Sequence, residues 1–273
     1  MSQEIRKIEE LARTIRRDIV EMVYLAKDVH PGPALSITDI VASLYGSLLR
    51  VNPSDPEWEG RDRFILSKGH ACPAVYSALA RRGFFSPELL PSLRALDSLL
   101  QGHPVMKKTP GIDMTSGSLG NGLSIGVGMA LASGYTKKNF DVFVIMGDGE
   151  LQEGIVWEGA LSAFKYKLGR LIVFVDHNGW QSGASCNDVG GCVSVKSRFE
   201  AFGWHCQEID GHDISAILQA VKNARAETNL PSVIIAETVK GKGVPFMEND
   251  NSWHKRVPSK EQYEEAMKIL GGC

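Results

Sequence analysis

The 273-residue sequence predicts an α/β fold, a parallel sheet with helices on both faces. Apolar runs of strand length alternate with longer segments of helical periodicity along the chain. In the stretch 141–180, the apolar runs 142–146 and 171–175 flank a helix-like segment, which is a βαβ pattern. Both runs end in polar loops that contain glycine, as strands do at the ligand-binding edge of an open parallel sheet. We therefore expect one domain over residues 1–273, with a binding site at one sheet edge.

The N-terminal elements follow from periodicity and from end signals. Residues 2–29 carry apolar side chains at helical spacing, and the breaker cluster 30–33 ends this helix. The segment 36–39 is typical of an N-cap followed by a first-turn acid, so we expect a helix from there to Leu49. The next expected elements are a strand at 63–66, a helix ending at Arg82 and a helix beginning at Ser86-Pro87.

The remaining elements are predicted in the same way. The segment 101–122 lacks apolar periodicity, and a loop of this length in a compact chain is usually functional or disordered. The residues 123–136 form a helix rich in small residues, which suits close packing on a sheet or on another subunit. After the βαβ pattern we expect a loop at 183–193, helices at 195–202, 214–227 and 259–270, and strands at 205–209 and 233–237.

Composition and charge exclude several classes of partner. The formal net charge is −2, which favours neither a nucleic-acid partner nor an anionic membrane. No apolar run approaches the roughly 18 residues that a spanning helix needs, and the N-terminus lacks the apolar segment of a signal peptide. The five cysteines are scattered and form no C-x-x-C pair, so we expect free thiols. These features predict a cytoplasmic protein.

Polar residues that follow the predicted strands form a candidate site. Asp148 offers a carboxylate, Asn178 offers an amide oxygen, and the adjacent glycines let backbone N–H groups approach an anion. This set suits Mg²⁺ that holds a phosphorylated ligand. The loops at 69–70, 147–149, 177–179 and 240–243 all leave strand ends at the same edge, so we expect them to converge.

Several motifs resemble those of the transketolase family, and they stand in the family's order. Gly147-Asp148-Gly149 followed by Asn178 is similar to the thiamine diphosphate motif. The other matching segments are His30-Pro31-Gly32, residues 62–67 with Gly69-His70, Gly102-His103-Pro104, residues 117–122, Glu153-Gly154 and residues 202–205. The resemblance covers nearly the whole chain and implies the diphosphate-binding domain of a thiamine diphosphate enzyme.

The resemblance implies a role for each site residue. Asp148, Asn178 and the carbonyl of Trp180 would bind Mg²⁺, or another divalent ion such as Ca²⁺ or Mn²⁺. His70, His254 and the N–H of Gly149, at a helix start, would face the diphosphate. His30, His103 and again His254 would lie beside the sugar donor. Gly117, Ser118 and Leu119 would lie along the cofactor, and Glu153 would lie near a dimer interface.

Some positions depart from the family pattern or stay open. Many transketolases have Pro where this chain has Ser118 and Gln where it has Asn121, which weakens any transfer of substrate details. Lys240 and Lys242 could contact phosphate or could form a solvated basic turn. We interpret His177, His205 and His212 as structural.

The resemblance also implies a partner. It covers only the first of the three transketolase domains, so the pyrimidine-binding and C-terminal domains are expected on a second subunit, in an α2β2 heterotetramer. The implied activity is transfer of a two-carbon ketol unit from a ketose phosphate to an aldose phosphate. The alternatives are a subunit of another thiamine diphosphate enzyme, either deoxyxylulose-phosphate synthase-like or 2-oxo acid decarboxylating, and a non-catalytic regulatory subunit of the same fold.

Overall fold

The computed structural model describes residues 2–27, 29–190 and 194–271. Its parallel sheet has the strand order β1-β2-β3-β5-β4. The strands are β1 (Arg63–Leu66), β2 (Val142–Gly147), β3 (Leu171–His177), β4 (His205–Asp210) and β5 (Ser232–Glu237). Each predicted strand is therefore present, and the ends of β2 and β3 lie one or two residues beyond the predicted limits.

Helices cover both faces of the sheet, which confirms the predicted fold class. They are α1 (Gln3–Ala26), α2 (Pro31–Ser36), α3 (Thr38–Ser43), α4 (Cys72–Arg82), α5 (Asn121–Tyr135), α6 (Gly154–Lys165), α7 (Cys186–Gly190), α8 (Val195–Ala201), α9 (Ile214–Ala226) and α10 (Lys260–Ile269). Phe143 and Ile145 of β2 pack into one core with α1, α3, α4 and α9. Val142 and Val144 point the other way, into a second core with α5 and α6. This alternation is the two-residue period of a strand that is buried on both faces.

Several helix ends have the caps that the sequence predicts. Asp213 accepts hydrogen bonds from the first turn of α9, and Ser259 with Gln262 forms a capping box at the start of α10. In α5, a Cβ added to Gly126 would lie 2.8 Å from Val144. The small residues of α5 therefore allow its close approach to the sheet, as predicted.

The prediction for residues 30–49 was wrong in detail. The proline-rich cluster begins a helix, because Pro31 occupies the first position of α2, where its missing N–H costs no hydrogen bond. Ser36 is the last residue of α2 and caps nothing; its hydroxyl instead donates a hydrogen bond to Asp176. A π-helical turn, Leu44–Leu48, ends the region.

Smaller differences occur elsewhere. α1 ends at Ala26, before the predicted limit, where Lys27 adopts a left-handed conformation. Pro87–Ser92 is a 3-10 helix. The predicted loop 183–193 contains α7, and its residues 191–193 lie outside the described residues.

Cys72, Cys186 and Cys206 are free, as predicted; Cys192 and Cys273 lie outside the described residues. Within the described ranges, every helix is too short or too polar to cross a bilayer.

Candidate thiamine diphosphate site

The loops that follow β1, β2, β3 and β5 meet at one cavity of about 430 Å³ at the carboxyl edge of the sheet. Most predicted site residues line this cavity: His30, His70, His103, Gly117, Leu119, Asp148, Gly149, Asn178, Trp180 and His254. Glu153 lines it as well. Ser118 is exposed and is not among the lining residues, whereas the two residues beside it are.

Asp148, Asn178 and Trp180 form what we call the carboxylate side of the cavity. Asp148 is 7% exposed and accepts hydrogen bonds from the N–H groups of Gly149 (2.8 Å) and Gly179 (2.6 Å). Burial raises the pKa of its carboxyl, and the charge of Asp176 raises that pKa further. A buried carboxylate in this position is a favourable ligand for a cation, since a cation would offset both effects.

The orientation of Asn178 is set by its neighbours. Its amide nitrogen donates to Asp176 over 2.7 Å, and its amide oxygen accepts from the N–H of Trp180 over 3.0 Å. This contact closes an Asx turn that carries the chain from the end of β3 to Trp180. The amide oxygen keeps a second lone pair for a ligand.

Gly149 begins a helix, as expected, but this helix is a single short turn. The residues Gly149–Gln152 form a short 3-10 helix, α6 begins only at Gly154, and the N–H of Gly149 already donates to Asp148. Asp148 therefore acts as the N-cap of that turn, and the helix start is shorter than the sequence suggested.

His30, His70 and His254, together with Lys240, form what we call the histidine side. The three ring centroids lie 5.1 to 5.4 Å apart. Lys240 is 1% exposed, and its ammonium lies 2.6 Å from Asn251 Oδ1 and 3.0 Å from His254 Nδ1. Because an ammonium only donates, Nδ1 of His254 accepts, which leaves the ring proton on Nε2.

The histidine side combines the neutral imidazoles of His70 and His254 with one buried cation, Lys240. Burial and then the charge of Lys68 lower the pKa of His70 well below its usual range. Burial and then Lys240 lower the pKa of His254 to about 3. Burial and then the charge of Lys68 lower the pKa of Lys240 to about 8. A bound anion would accept hydrogen bonds from these donors and would stabilise the positive charge of Lys240.

Between the two sides lies a buried ion pair that sequence reasoning missed. Lys68 Nζ lies 2.5 Å from Asp176 Oδ2, and the side chains are 3% and 0% exposed. Ser36 and Thr238 also donate to the Asp176 carboxylate. The available signal was an acid at the end of a fully apolar strand, since such an acid needs a cation nearby.

Glu150 positions the loop that carries Gly117 and Leu119. Its carboxylate accepts hydrogen bonds from the N–H groups of Gly120 (2.7 Å) and Gly147 (3.1 Å) and from the hydroxyl of Ser67. Glu150 was also missed, because a glutamate after Gly-Asp-Gly resembles an ordinary first-turn residue.

His103 enters the cavity from the long predicted loop. Burial and then the charge of Arg94 lower the pKa of its ring. A Cβ added to Gly69 would lie 2.4 Å from the Ser116 hydroxyl and 3.2 Å from the His103 ring. Glycine at position 69 therefore allows this loop to pack against the residues beside His70.

The other uncertain basic and histidine residues lie outside the cavity. Lys242 is partly exposed, and its ammonium is 4.0 Å from Glu248. His177 contacts Glu237, His205 contacts Ser232, and His212 contacts Asp39.

The donor set fits both a divalent cation and a diphosphate. Within the described residues, no cluster of three or more His, Cys, Asp or Glu side chains could hold a metal ion. The Asp148 carboxylate and the Asn178 amide oxygen, with the Trp180 backbone beside them, are instead the kind of oxygen donors that a hard cation prefers when phosphate or water completes its coordination. The histidine side supplies the N–H donors and the cation that suit the phosphate oxygens.

Comparison with known proteins agrees with this geometry. Residues 7–272 match the family described as "Transketolase, thiamine diphosphate binding domain". An apulose-4-phosphate transketolase subunit of Phocaeicola vulgatus is 40% identical over 93% of this chain and 90% of its own length. The 6-deoxy-6-sulfo-D-fructose transketolase subunit SqwG of a Clostridium species is 39% identical over 99% of this chain and 98% of its own length.

Solved structures extend the similarity to the fold. A transketolase from Pichia stipitis superposes with a TM-score of 0.93 at 32% identity, and a transketolase from Campylobacter jejuni gives the same two values. This chain covers 41% of the first and 43% of the second. It thus spans about two fifths of these solved transketolase chains but nearly the whole of the subunits named above.

Proposed function

The chain belongs to the transketolase family, as its thiamine diphosphate-binding N-terminal domain, and on that premise we propose that it is one subunit of a two-subunit transketolase. The reaction is transfer of a two-carbon ketol unit from a ketose or ketose phosphate to an aldose or aldose phosphate. The observation that carries the proposal is the pairing, in one cavity, of the buried Asp148 carboxylate with the Lys240 and His254 donors.

The carboxylate side holds the metal in this proposal. Asp148, Asn178 and the carbonyl of Trp180 would bind Mg²⁺, or a similar divalent ion. His70, His254 and Lys240 of the histidine side would hold the oxygens of the diphosphate. The segment Gly117–Leu119 would lie beside the cofactor, with Gly117 and Leu119 lining the cavity and the Ser118 side chain outside it. Gly149 lacks a side chain, which lets the loop after β2 pack against Gln181, since an added Cβ would lie 2.9 Å from the Cβ of that residue.

Thiamine diphosphate supplies, when bound, the nucleophilic carbon at which the sugar donor is cleaved. This chain's residues bind and orient the reactants. His30, His103 and His254 would line the sugar donor, where their imidazoles would donate hydrogen bonds to its hydroxyl and carbonyl oxygens and move protons at those atoms. The low pKa values of His103 and His254 favour the neutral form that this role needs.

The second subunit supplies the pyrimidine-binding and C-terminal domains in this proposal, in an α2β2 assembly. The naming of similar proteins as subunits supports a partner. Large apolar side chains that are exposed along α5 and α6 also support it, because exposed apolar surface is typical of interaction sites. They are Ile125, Tyr135, Leu161, Phe164 and, directly after α6, Tyr166, each between 39% and 81% exposed. Glu153 is the N-cap residue of α6.

The test combines the chain with its partner subunit, Mg²⁺ and thiamine diphosphate, and follows consumption of a ketopentose phosphate in the presence of an aldopentose phosphate. We expect ketol transfer from the mixture and none from the purified chain alone. Asp148→Ala should abolish activity and weaken Mg²⁺-dependent cofactor binding in calorimetry by more than about 100-fold. The reason is that it removes a metal ligand, whereas loss of a residue that only orients a ligand typically costs less. Asp55→Asn, an exposed loop substitution, is the matched control.

Two results would contradict the proposal. Full activity in Asp148→Ala would show that this carboxylate does not hold the metal. Consumption of pyruvate without consumption of ketose would assign the chain to a different thiamine diphosphate reaction.

A further inference from the structure

The loop after β5 brings Lys240 into the cavity. Three side chains outside the cavity contact the backbone of this loop on the side away from the cavity or contact one another. They are Arg16 of α1, Asp39 of α3 and His212 of the turn before α9. Their side chains are 12%, 8% and 13% exposed, so this is a buried network rather than a surface ion pair. We call these three residues the Arg16–Asp39–His212 cluster.

His212 fixes the backbone on one side of Lys240. Its Nε2 accepts a hydrogen bond of 2.8 Å from the N–H of Val239. Its Nδ1 lies 2.7 Å from Asp39 Oδ2. Because Nε2 accepts, the ring proton is on Nδ1, and the carboxylate of Asp39 holds the imidazole in that tautomer and orientation.

Arg16 fixes the backbone on the other side. Its Nε donates to the carbonyl of Lys242 over 3.1 Å, and its Nη2 lies 2.5 Å from the same Asp39 oxygen that His212 contacts. Burial alone would raise the pKa of Asp39, but the hydrogen bond from His212 and the charge of Arg16 outweigh it and lower that pKa. One ionised carboxylate therefore joins the two groups that hold the Val239 N–H and the Lys242 carbonyl.

The loop between these two contacts has little freedom of its own. Gly241 has φ +83°, and a Cβ there would lie 2.3 Å from the Met247 carbonyl oxygen. The N–H of Gly241 donates to the carbonyl of Gly32, two residues after His30. A shift of the loop would therefore displace Lys240 and disturb the chain next to His30.

We propose that the Arg16–Asp39–His212 cluster is a positioning device, which sets the place of the Lys240 ammonium and of its contact with His254, and so the affinity of the cavity for the diphosphate. The inference rests on the proposed function, in which Lys240 faces that anion. His212 is a positioning residue in this scheme, because it acts through the backbone of Val239. The hydrogen bonds of Lys240, at 2.6 and 3.0 Å, would not survive a displacement of about 1 Å.

Two substitutions at position 212 separate positioning from simple stability. In His212→Asn the amide occupies the place of Nδ1 and can still donate to Asp39, but it does not reach Val239. In His212→Gln the longer side chain places an amide oxygen near the former Nε2, where it can accept from the Val239 N–H. Both variants keep a neutral polar group in the same space.

The experiment measures three quantities for the wild-type chain and for both variants. These are amide hydrogen exchange over residues 238–243, the affinity for inorganic diphosphate with Mg²⁺ by calorimetry, and the melting temperature. In His212→Asn we expect exchange at Val239 to accelerate roughly tenfold and diphosphate affinity to fall about tenfold, the effect of one lost hydrogen bond and the resulting displacement. In His212→Gln we expect affinity within about threefold of the wild type.

The outcomes are distinct. Unchanged diphosphate affinity in His212→Asn, with wild-type binding intact, would overturn the positioning role alone. An equal loss in both variants, in step with a lower melting temperature, would also overturn it, since that is a purely structural effect. If the wild-type chain itself bound no diphosphate with Mg²⁺, the proposed function would fail, and the exchange data would still show whether His212 holds the loop.

A second variant serves if His212→Asn does not fold. Arg16→Lys keeps a cation beside Asp39 but replaces two separate guanidinium nitrogens with a single ammonium, so it should hold the Lys242 carbonyl less well. We expect faster exchange over residues 241–243 and about threefold weaker diphosphate binding. Wild-type values for both quantities would overturn the proposal.

Discussion

The two sides of the cavity are built in different ways. The carboxylate side comes from two adjacent strands, β2 and β3, and backbone N–H groups hold Asp148 in place. The histidine side comes from segments near residues 30, 70, 240 and 254, and side-chain contacts hold it together. The first side is therefore local in the chain, whereas the second depends on the whole fold and on residues outside the cavity.

The buried Lys68–Asp176 pair joins the two sides, so its loss should have the largest effect. Lys68→Met leaves the Asp176 carboxylate buried without its cation, which should lower the free energy of unfolding by about 3–5 kcal/mol in denaturant titrations. Lys138→Met, which removes an exposed ion pair with Glu59, should change it by less than about 0.5 kcal/mol. If the double variant Lys68→Met/Asp176→Asn proved no more stable than Lys68→Met, an unpaired charge would not be the cause.

Lys240 tests the histidine side directly, with a smaller expected effect. Lys240→Met removes a buried cation and its hydrogen bonds, so diphosphate affinity measured with Mg²⁺ should fall about tenfold to a hundredfold. Lys242→Met is the matched control, because that side chain lies outside the cavity beside Glu248. Equal losses in both variants would mean that general positive charge, and not the placement of Lys240, governs binding.

The pH dependence of binding should show the smallest effect. The pKa of Lys240 is about 8, so its ammonium is protonated below that pH and loses its proton above it. Diphosphate affinity should therefore fall about threefold to tenfold between pH 7 and pH 9.5, and this fall should be absent in Lys240→Met. The imidazoles of His70 and His254 should add no step near pH 6.5, because their pKa values lie well below it. A step at that pH in a histidine variant series would contradict their assignment as neutral donors.

The difference between the two sides also explains what the sequence could predict. Hydrophobic periodicity located all five strands and therefore the sheet edge, and the glycine, aspartate and asparagine residues after β2 and β3 marked the carboxylate side. The resemblance to transketolases supplied the histidines, which spacing alone would not have connected.

Residues whose role depends on tertiary contacts were harder to predict. In the sequence, Asp176 only follows the apolar run 171–175 and Lys68 only follows the segment 62–67, and the fold is what places their side chains 2.5 Å apart. The sequence indicates a structural role for His212, and only its contacts with Val239 and Asp39 show what it supports. The prolines at 31 and 33 predict a helix break, because their use at the start of α2 depends on burial that periodicity does not show.

The arrangement around Asp176 has a thermodynamic consequence. This one carboxylate contacts the amide of Asn178 on the carboxylate side and the ammonium of Lys68, whose charge lowers the pKa values of His70 and Lys240 on the histidine side. A cation bound at Asp148 and an anion bound at Lys240 would thus influence each other through the same group. Linkage requires that each change the affinity for the other by the same factor, and the opposite charges of the two ligands make that change an increase. Metal and diphosphate should then load with positive heterotropic cooperativity, whichever is added first.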